Sequence, residues 1–279
     1  MKKIHYNDIV DKIKNACIDI NYNASKELLE AYDKSIQNES DVGKTVLSIL
    51  KDNVLLAHIE QVPICQDTGT AVIFVTLGAN VIIENGFLND AIFEGVEKGY
   101  REGYLRKSIV DNPLTRHNSG NNLPPVIHIE LVKGDTFMID VAAKGGGSEN
   151  MSALKMLTPA DGMDGIKSFV VETVKKAGPN PCPPIIVGIG IGSNFEGVAL
   201  LAKKALLEPF NSCNLSKELA DMEKELEEKL NNLSIGPQGL GGKTTVFKVH
   251  SLMAPCHIAS LPVAVNINCH VSRHTRIIF

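Results

Sequence analysis

The chain has 279 residues, of which 44% are hydrophobic and 22% charged, and 28 basic against 32 acidic side chains give a net charge of −4. A composition this close to that of ordinary globular proteins excludes a disordered chain, and the lack of any basic block argues against nucleic acid as a ligand. The length suits two domains or one large one, with a core that needs no disulfide bonds for stability.

The start of the chain and its longest apolar stretch argue against secretion and membrane insertion. In the opening residues MKKIHYNDIVDKIKN, charges recur every few positions and leave no apolar signal-peptide core. The stretch 71–83 is interrupted by Thr76, Gly78 and Asn80, so it falls short of the ~20 residues that span a bilayer. We therefore expect a soluble cytoplasmic protein without disulfides.

The first 60 residues have helical periodicity. Ile9, Ile13 and Cys17 share one face, and further apolar faces recur over 28–32 and 46–55. A polar turn, Cys65–Gly69, then leads into a β-branched run over 71–77 that predicts a buried strand, with a helix over 88–107 to follow.

The remaining residues alternate between strand and helix patterns. Strands over 126–132 and 136–143 around Lys133-Gly134-Asp135 predict a hairpin. We then expect helices over 149–157 and 163–176, a strand over 185–191, a helix over 196–207, a charged solvent-facing helix over 216–232, and strands over 244–252 and 262–268. These elements predict an α+β fold: a helical N-terminal segment, 1–60, precedes a mixed α/β domain, 61–279, and the mixed-sheet lobes share one core.

Two glycine-rich stretches approach known phosphate-binding motifs without matching them. Gly188-Ile-Gly-Ile-Gly192 lacks the third glycine of the dinucleotide pattern, and Gly241-Gly-Lys-Thr244 has Pro237 where a Walker A motif begins with glycine. Both are interpreted as tight turns whose exposed amides form an anion-binding nest.

The cysteines offer two kinds of metal site. Cys256, Cys269, His270 and His274 partly match a zinc site, but Cys256 has no second cysteine close by. Cys65, Cys182 and Cys269 each lie at the end of a predicted element, and prolines stiffen the loop that carries Cys182. Three thiolates suit a cluster or metal with one open position, whereas dispersed cysteines are commonly just small buried hydrophobes.

Seven sequence blocks, in this order, resemble the α subunit of class I, iron–sulfur fumarate hydratases and L-tartrate dehydratases. The similarity covers nearly the whole chain from about residue 10. The blocks are Cys65-Gln-Asp-Thr-Gly69, Leu105-Arg-Lys-Ser108, Asn121-Asn-Leu-Pro124, Lys144-Gly-Gly-Gly-Ser-Glu-Asn150, Pro181-Cys-Pro-Pro184, Gly239-Leu-Gly-Gly-Lys243 and His257-Ile-Ala-Ser-Leu-Pro262.

The resemblance implies a [4Fe–4S] cluster with one open iron, bound by Cys65, Cys182 and Cys269, with Cys256 as the alternative to Cys269. Cys17 and Cys213 are taken as structural residues on helices. The implied reaction is the reversible dehydration of a 2-hydroxy dicarboxylate, malate to fumarate, in which the open iron acts as a Lewis acid on the hydroxyl oxygen.

Five further residues are candidates for this chemistry. Asp67, two residues from Cys65, can reach the leaving oxygen, although Asp also commonly orders such turns. The resemblance assigns substrate binding to Gln66. Arg106 can grip a carboxylate if its helix end faces the cleft, and Gly146 in the run 145–147 can present N–H groups to an oxyanion, unless the run is only a flexible bend. His257 either binds near substrate or is a satisfied core histidine.

The family's single-chain members carry a second region with the base for the C3 proton. We therefore expect a separate β subunit to complete the active site, in an α2β2 assembly, with a small dicarboxylate as substrate and with neither nucleic acid nor membrane as a partner. L-Tartrate dehydratase is the alternative within the enzyme class, and an iron–sulfur electron carrier or a non-catalytic anion-binding protein are the alternatives outside it.

Overall fold

The computed structural model describes all 279 residues and confirms the α+β class. It contains eight α-helices and ten strands, and the chain forms two compact units. Unit 1 comprises residues 1–24, 53–146 and 273–279, and unit 2 comprises 25–52 and 147–272. This division does not follow a boundary after residue 60, because the second helix and part of the third belong to unit 2.

Unit 1 is built on a four-stranded mixed sheet with helices packed on it. Its helices are α1 (Tyr6–Tyr22) and α4 (Leu88–Glu102), and the last turns of α3 (Asp41–Glu60) also belong to it. The sheet has the order β10-β5-β2-β4, and β1 pairs with β3 in a small parallel sheet. The strands are β1 (Lys2–His5), β2 (Thr70–Gly78), β3 (Val81–Glu84), β4 (Val126–Val132), β5 (Phe137–Lys144) and β10 (His274–Ile278).

The predicted hairpin over 126–143 is wrong, although both of its strands exist. Strand β2 lies between β4 and β5, parallel to the first and antiparallel to the second. The alternation of polar and apolar residues locates strands, but it does not reveal that a central, buried strand from elsewhere in the chain separates them. Strands β1, β3 and β10 were not predicted.

Unit 2 has a second mixed sheet, of order β6-β9-β7-β8. Apolar side chains of α6 and α8 cover one face of the sheet, and α7 packs against the other. The elements of this unit are α2 (Lys26–Asn38), α5 (Gly146–Glu149), α6 (Gly162–Ala177), α7 (Phe195–Ala205), α8 (Lys217–Asn231), β6 (Ala153–Leu157), β7 (Ile185–Gly192), β8 (Val246–Ala254) and β9 (Leu261–Asn268).

Three expectations for this unit need correction. Residues 153–157 form strand β6 on the edge of the sheet instead of the end of a helix. Helix α8 is not solvent-facing throughout, because it buries Leu219, Leu226 and Leu230 against the sheet. Finally, the buried apolar residues of unit 1 cluster separately from those of unit 2, so the two units do not share one core.

The glycines of strand β7 serve close packing, not a turn. All eight residues of β7 are buried, and a Cβ atom on Gly190 would lie 2.2 Å from the backbone oxygen of Val198 in α7. A Cβ on Gly188 would lie 2.3 Å from the backbone oxygen of Ala202. The stretch therefore lets helix and strand backbones approach, and the interpretation as an anion-binding turn is wrong for Gly188 and Gly190.

Candidate functional site

The turn Cys65–Gly69 lies in unit 1 between α3 and β2, as the sequence predicts. Asp67 orders it, because its Oδ1 accepts a hydrogen bond from the Gly69 N–H at 3.0 Å and Gly69 adopts a positive φ of 75°. The Cys65 thiol lies 3.5 Å from the Gln66 side-chain oxygen. Cys65 and Asp67 are half-buried and Gln66 is exposed, so the turn presents a thiol, an amide and a carboxylate in succession.

The other carboxylate oxygen of Asp67 is held by the glycine run. The Gly146 N–H donates to Oδ2 of Asp67 at 2.8 Å. Gly145 leaves little room above this carboxylate, since a Cβ there would lie 3.2 Å from the same oxygen. The run thus binds an anion, as expected of such amides, but in this structure the anion is the side chain of Asp67. Both oxygens accept backbone N–H groups, which fixes the orientation of the carboxylate.

Buried polar side chains donate hydrogen bonds to the backbone carbonyls of this turn. Arg273 is 5% exposed, and its Nη1 donates to the Asp67 carbonyl at 2.6 Å and to Oδ1 of Asn21 at 2.9 Å. The Tyr100 hydroxyl donates to the carbonyls of Thr68 and Gly69 at 2.9 and 3.0 Å. Burial raises the pKa of Tyr100, so the phenol stays protonated and remains a donor.

Arg106 lies in the loop after α4, not at a helix end, because α4 ends at Glu102. Its backbone carbonyl accepts a hydrogen bond from the Thr68 hydroxyl at 3.1 Å, which ties this loop to the Cys65–Gly69 turn. The Arg106 side chain is exposed. Its guanidinium is therefore accessible to a carboxylate, and the loop backbone is anchored next to Asp67.

Unit 2 brings together the loops that carry two of the three predicted ligand cysteines. Cys182 lies in the loop between α6 and β7, and Cys269 directly follows β9. The His270 N–H donates to the Cys182 carbonyl at 3.3 Å, so the residue next to Cys269 touches the backbone of Cys182. Cys182 itself adopts a positive φ of 57°, which is uncommon for a residue with a Cβ and indicates a loop constrained by its surroundings.

The Gly239–Lys243 block supports the loop that carries Cys182. The backbone N–H and the side-chain amide of Gln238 both donate to the Pro183 carbonyl, at 2.8 and 2.9 Å. Gly239 has a φ of 75°, and a Cβ there would lie 2.3 Å from Pro179. The second predicted anion-binding nest therefore exists, but the anion that it binds belongs to this chain. The N–H groups of Lys243 and Thr244 bind the carboxylate of Glu39 at 2.7 and 2.6 Å.

The other cysteines have different surroundings. Cys17 is fully buried in α1, and burial raises the pKa of its thiol to about 12, which suits a structural role. Cys213 is exposed and lies in the loop before α8, not on a helix. The Cys256 thiol donates to the Ser260 carbonyl at 3.3 Å, in the loop after β8. Nothing in the structure assembles the zinc site considered from the sequence.

His257 is exposed, so it is not a core histidine. Its Nδ1 accepts the Ala259 N–H at 3.1 Å, which leaves the ring proton of the neutral form on Nε2. With Cys256 it lines a largely apolar cavity of about 380 Å³ beside α6 and the start of α8. The imidazole can therefore donate to a bound molecule.

The cysteine thiols of these loops are the kind of ligand that binds an iron–sulfur cluster. Cys65, Cys182 and Cys269 form no disulfide bonds, lie in loops, and are half-buried or exposed, which is where thiolates can bind a metal. No group of three or more metal-binding side chains comes together in this structure.

Sequence reasoning missed Arg273 and Tyr32 and considered His270 only as part of a zinc site, whereas Arg273 contacts Asp67, His270 contacts Cys182, and Tyr32 contacts His270. Arg273 and His270 belong to the segment that follows Cys269, and polar residues this dense after a buried strand were the available indication. No local sequence pattern links Tyr32, on α2, with Cys269, which lies more than two hundred residues further along the chain.

Comparison with known proteins agrees with these blocks. The sequence profile of fumarate hydratase (Fumerase) matches residues 10–278. The chain belongs to the fumarate hydratase family. It is 44% identical over 271 residues to the putative L(+)-tartrate dehydratase subunit alpha of Methanocaldococcus jannaschii, a match that covers 95% of this chain and 94% of that protein. It is 35% identical over 237 residues to the L(+)-tartrate dehydratase subunit alpha of Escherichia coli K12, covering 84% and 78% of the two chains.

Membership of the fumarate hydratase family makes the chain a hydro-lyase and confirms the resemblance found from the seven blocks. None of the helices is both long and apolar enough to traverse a bilayer.

Proposed function

We propose that the chain is the α subunit of a [4Fe–4S] hydro-lyase that reversibly dehydrates a 2-hydroxy dicarboxylate, malate to fumarate. The single observation that carries the proposal is the bond from the His270 N–H to the Cys182 carbonyl, which brings two of the three cysteine loops together. Cys182 and Cys269 are the ligands from unit 2. The sequence block around Cys65 supports it as the third ligand.

Dehydration needs loss of a weakly acidic C3 proton and departure of hydroxide, a poor leaving group. When bound, the cluster supplies an open iron that acts as a Lewis acid toward the hydroxyl oxygen. In this proposal Asp67 is the proton donor to the departing oxygen: it carries the proton as a carboxylic acid before the C–O bond breaks, and its half-buried side chain is fixed by the N–H groups of Gly69 and Gly146. Because the side chain is held in one orientation, the acid delivers its proton without a change of rotamer, and the same two N–H groups stabilise the carboxylate that is left.

The substrate's own carboxylates need cationic or N–H partners. The exposed guanidinium of Arg106 offers two parallel donors to one of them, and the side-chain amide of Gln66 lies next to Asp67 in the same turn. His257 offers a donor at Nε2, since Nδ1 accepts the Ala259 N–H, but in unit 2 it precedes β9 whereas Cys269 follows it, so the two lie at opposite ends of that strand. Gly146 contributes indirectly, because its N–H holds Asp67.

We propose that a β subunit supplies the C3 base and completes the site in an α2β2 assembly, as the name "subunit alpha" of the relatives suggests. We also place the protein in the cytoplasm, because solvent-accessible cysteines without disulfide bonds suit a reducing compartment.

L-Tartrate is the second candidate substrate, favoured by the names of the relatives in Methanocaldococcus jannaschii and Escherichia coli. Tartrate differs from malate by one hydroxyl group, and a site that hydrogen-bonds this hydroxyl would reject malate strongly. Turnover of each compound by the same α–β preparation separates the two.

The test is an anaerobic preparation of the chain co-expressed with its β subunit, with iron counted and activity measured. Replacing Cys65, Cys182 or Cys269 by Ser is expected to abolish the cluster and turnover, whereas Cys256→Ser, the matched control, keeps both. Loss of iron in Cys256→Ser but not in Cys269→Ser contradicts the ligand assignment.

Full activity of the α chain without its partner contradicts the shared site. A cluster that cycles one electron reversibly and ignores substrate indicates an electron carrier.

A further inference from the structure

Tyr32 is a buried polar side chain that the proposed reaction does not use. It lies on α2, is 0% exposed, and its ring packs edge-on against Phe247 of β8 with centroids 5.1 Å apart. Its hydroxyl oxygen lies 2.6 Å from Nδ1 of His270 and 3.4 Å from the His270 carbonyl oxygen. A tyrosine hydroxyl in the interior requires such partners, so the position of Tyr32 is coupled to that of His270.

His270 is held at two points. Its ring is bound by Tyr32, and its backbone N–H donates to the Cys182 carbonyl at 3.3 Å. Because Cys269 is the preceding residue, these two bonds restrict the backbone on which its thiol is carried. They also link that backbone to Cys182, so a displacement of the His270 ring is transmitted to both cysteine loops.

We propose that Tyr32 is a positioning residue for the iron–sulfur cluster, because through His270 it fixes the placement of the Cys182 and Cys269 thiols relative to each other. The inference rests on the proposed function, since it takes these two thiols as cluster ligands. Tyr32 does not touch the cluster; it acts through the residue beside one ligand and the backbone of the other.

A second contact of α2 supports this role. The residue that follows the C-terminal end of the helix is bound to a loop that supports Cys182. Glu39, just after α2, accepts the N–H groups of Lys243 and Thr244. Gln238, earlier in the same loop, donates twice to the Pro183 carbonyl, next to Cys182. Through Tyr32, helix α2 therefore contacts the residue beside Cys269, and through Glu39 it contacts the loop that supports Cys182.

The expected consequence of losing the Tyr32 hydroxyl is a cluster that is bound less tightly. Removing outer-shell partners of metal ligands typically lowers metal affinity by ~10- to 100-fold, because the ligands lose their fixed directions. Tyr32→Phe keeps the ring, so its packing on Phe247 is retained and only the hydrogen bonds to His270 are lost.

The experiment uses the reconstituted α–β complex under anaerobic conditions. The rate of iron release to a ferrous chelator and the electron paramagnetic resonance spectrum of the dithionite-reduced cluster are recorded for wild type, Tyr32→Phe and Tyr22→Phe. Tyr22 is the matched control: it is 7% exposed, and its hydroxyl donates to the Gly103 carbonyl at 2.8 Å, within unit 1. The melting temperature of each variant is measured alongside.

We expect Tyr32→Phe to release iron ~10- to 100-fold faster than wild type, with an altered spectrum, while Tyr22→Phe behaves as wild type in both. Equal release rates for wild type and Tyr32→Phe, or equal acceleration by both variants, overturn the inference. If Tyr32→Phe does not fold, the same two measurements are made on His270→Gln, a substitution at a half-buried position, and the same outcomes support or overturn the inference. A wild-type complex that takes up no iron overturns the proposed cofactor and this inference together.

Discussion

Arg273 is the residue whose replacement best tests how the Cys65–Gly69 turn is held. Its Nη1 donates to the Asp67 carbonyl and to Asn21, and the side chain is 5% exposed. In Arg273→Gln both acceptors lose a charged donor. Each such bond is worth about 1.5–3 kcal/mol, and some of the loss is offset because the guanidinium no longer has to be desolvated.

We therefore expect Arg273→Gln to lower the free energy of unfolding by about 1.5–3 kcal/mol, less than the sum of two such bonds because of that offset. The natural control is Arg276→Gln, three residues further along: Arg276 pairs with Asp140 at 2.6 Å, but its side chain is 55% exposed. An exposed pair of this kind contributes about 0–1 kcal/mol.

Urea unfolding followed by far-ultraviolet circular dichroism measures both variants, since the chain contains no tryptophan. Turnover of the α–β complex gives a second readout. A misplacement of Asp67 by about 1 Å is expected to cost ~10²-fold in kcat, with little effect from Arg276→Gln. Equal loss of stability in the two variants, or full turnover in a folded Arg273→Gln complex, would refute the role assigned to Arg273.

Three further predictions concern other parts of the molecule. Burial opposes ionisation of Glu39, but the N–H groups of its neighbours together lower its pKa below the ordinary 4.5; its stabilisation is present above the unfolded-state pKa and is lost as the pH falls through the folded-state pKa. Glu39→Gln should thus cost ~1–3 kcal/mol at pH 7 and progressively less in acid, as pH-dependent urea midpoints will show, and a pH-independent difference contradicts this. Gly190→Ala, which places a Cβ 2.2 Å from a backbone oxygen of α7, should destabilise by ~1–3 kcal/mol in the same assay, and a neutral effect contradicts the close packing. With a pKa of about 12, Cys17 should resist iodoacetamide at pH 8 while exposed Cys213 reacts, as mass spectrometry can check, and equal labelling of the folded protein contradicts the burial of Cys17.

Elements with a complete local pattern were predictable. Helices α6 and α7 lie within two residues of their expected bounds, because their apolar spacing is regular and Gly178 or Asn194 marks an end. The three cysteines indeed lie in loops at the ends of elements, since the turn residues and prolines around them disfavour regular structure.

Pairing between distant segments was not predictable from the same patterns. The alternation over 126–143 is equally compatible with a hairpin and with two strands on either side of β2, and only the burial of β2 at the centre of the sheet selects the second. Likewise, amides of a glycine-rich stretch can bind any anion, and in this fold those of Lys243 and Thr244 bind Glu39.

The sequence by itself determined the class of the fold, the positions of most helices and strands, and the family with its candidate residues, because these depend on local periodicity and on blocks of adjacent residues. The tertiary structure alone decided how the candidates are supported. Arg273 behind Asp67, and Tyr32 with His270 beside Cys269, are contacts between segments far apart in the chain, and such contacts form only when the sheets and helices pack and leave buried polar groups to find partners.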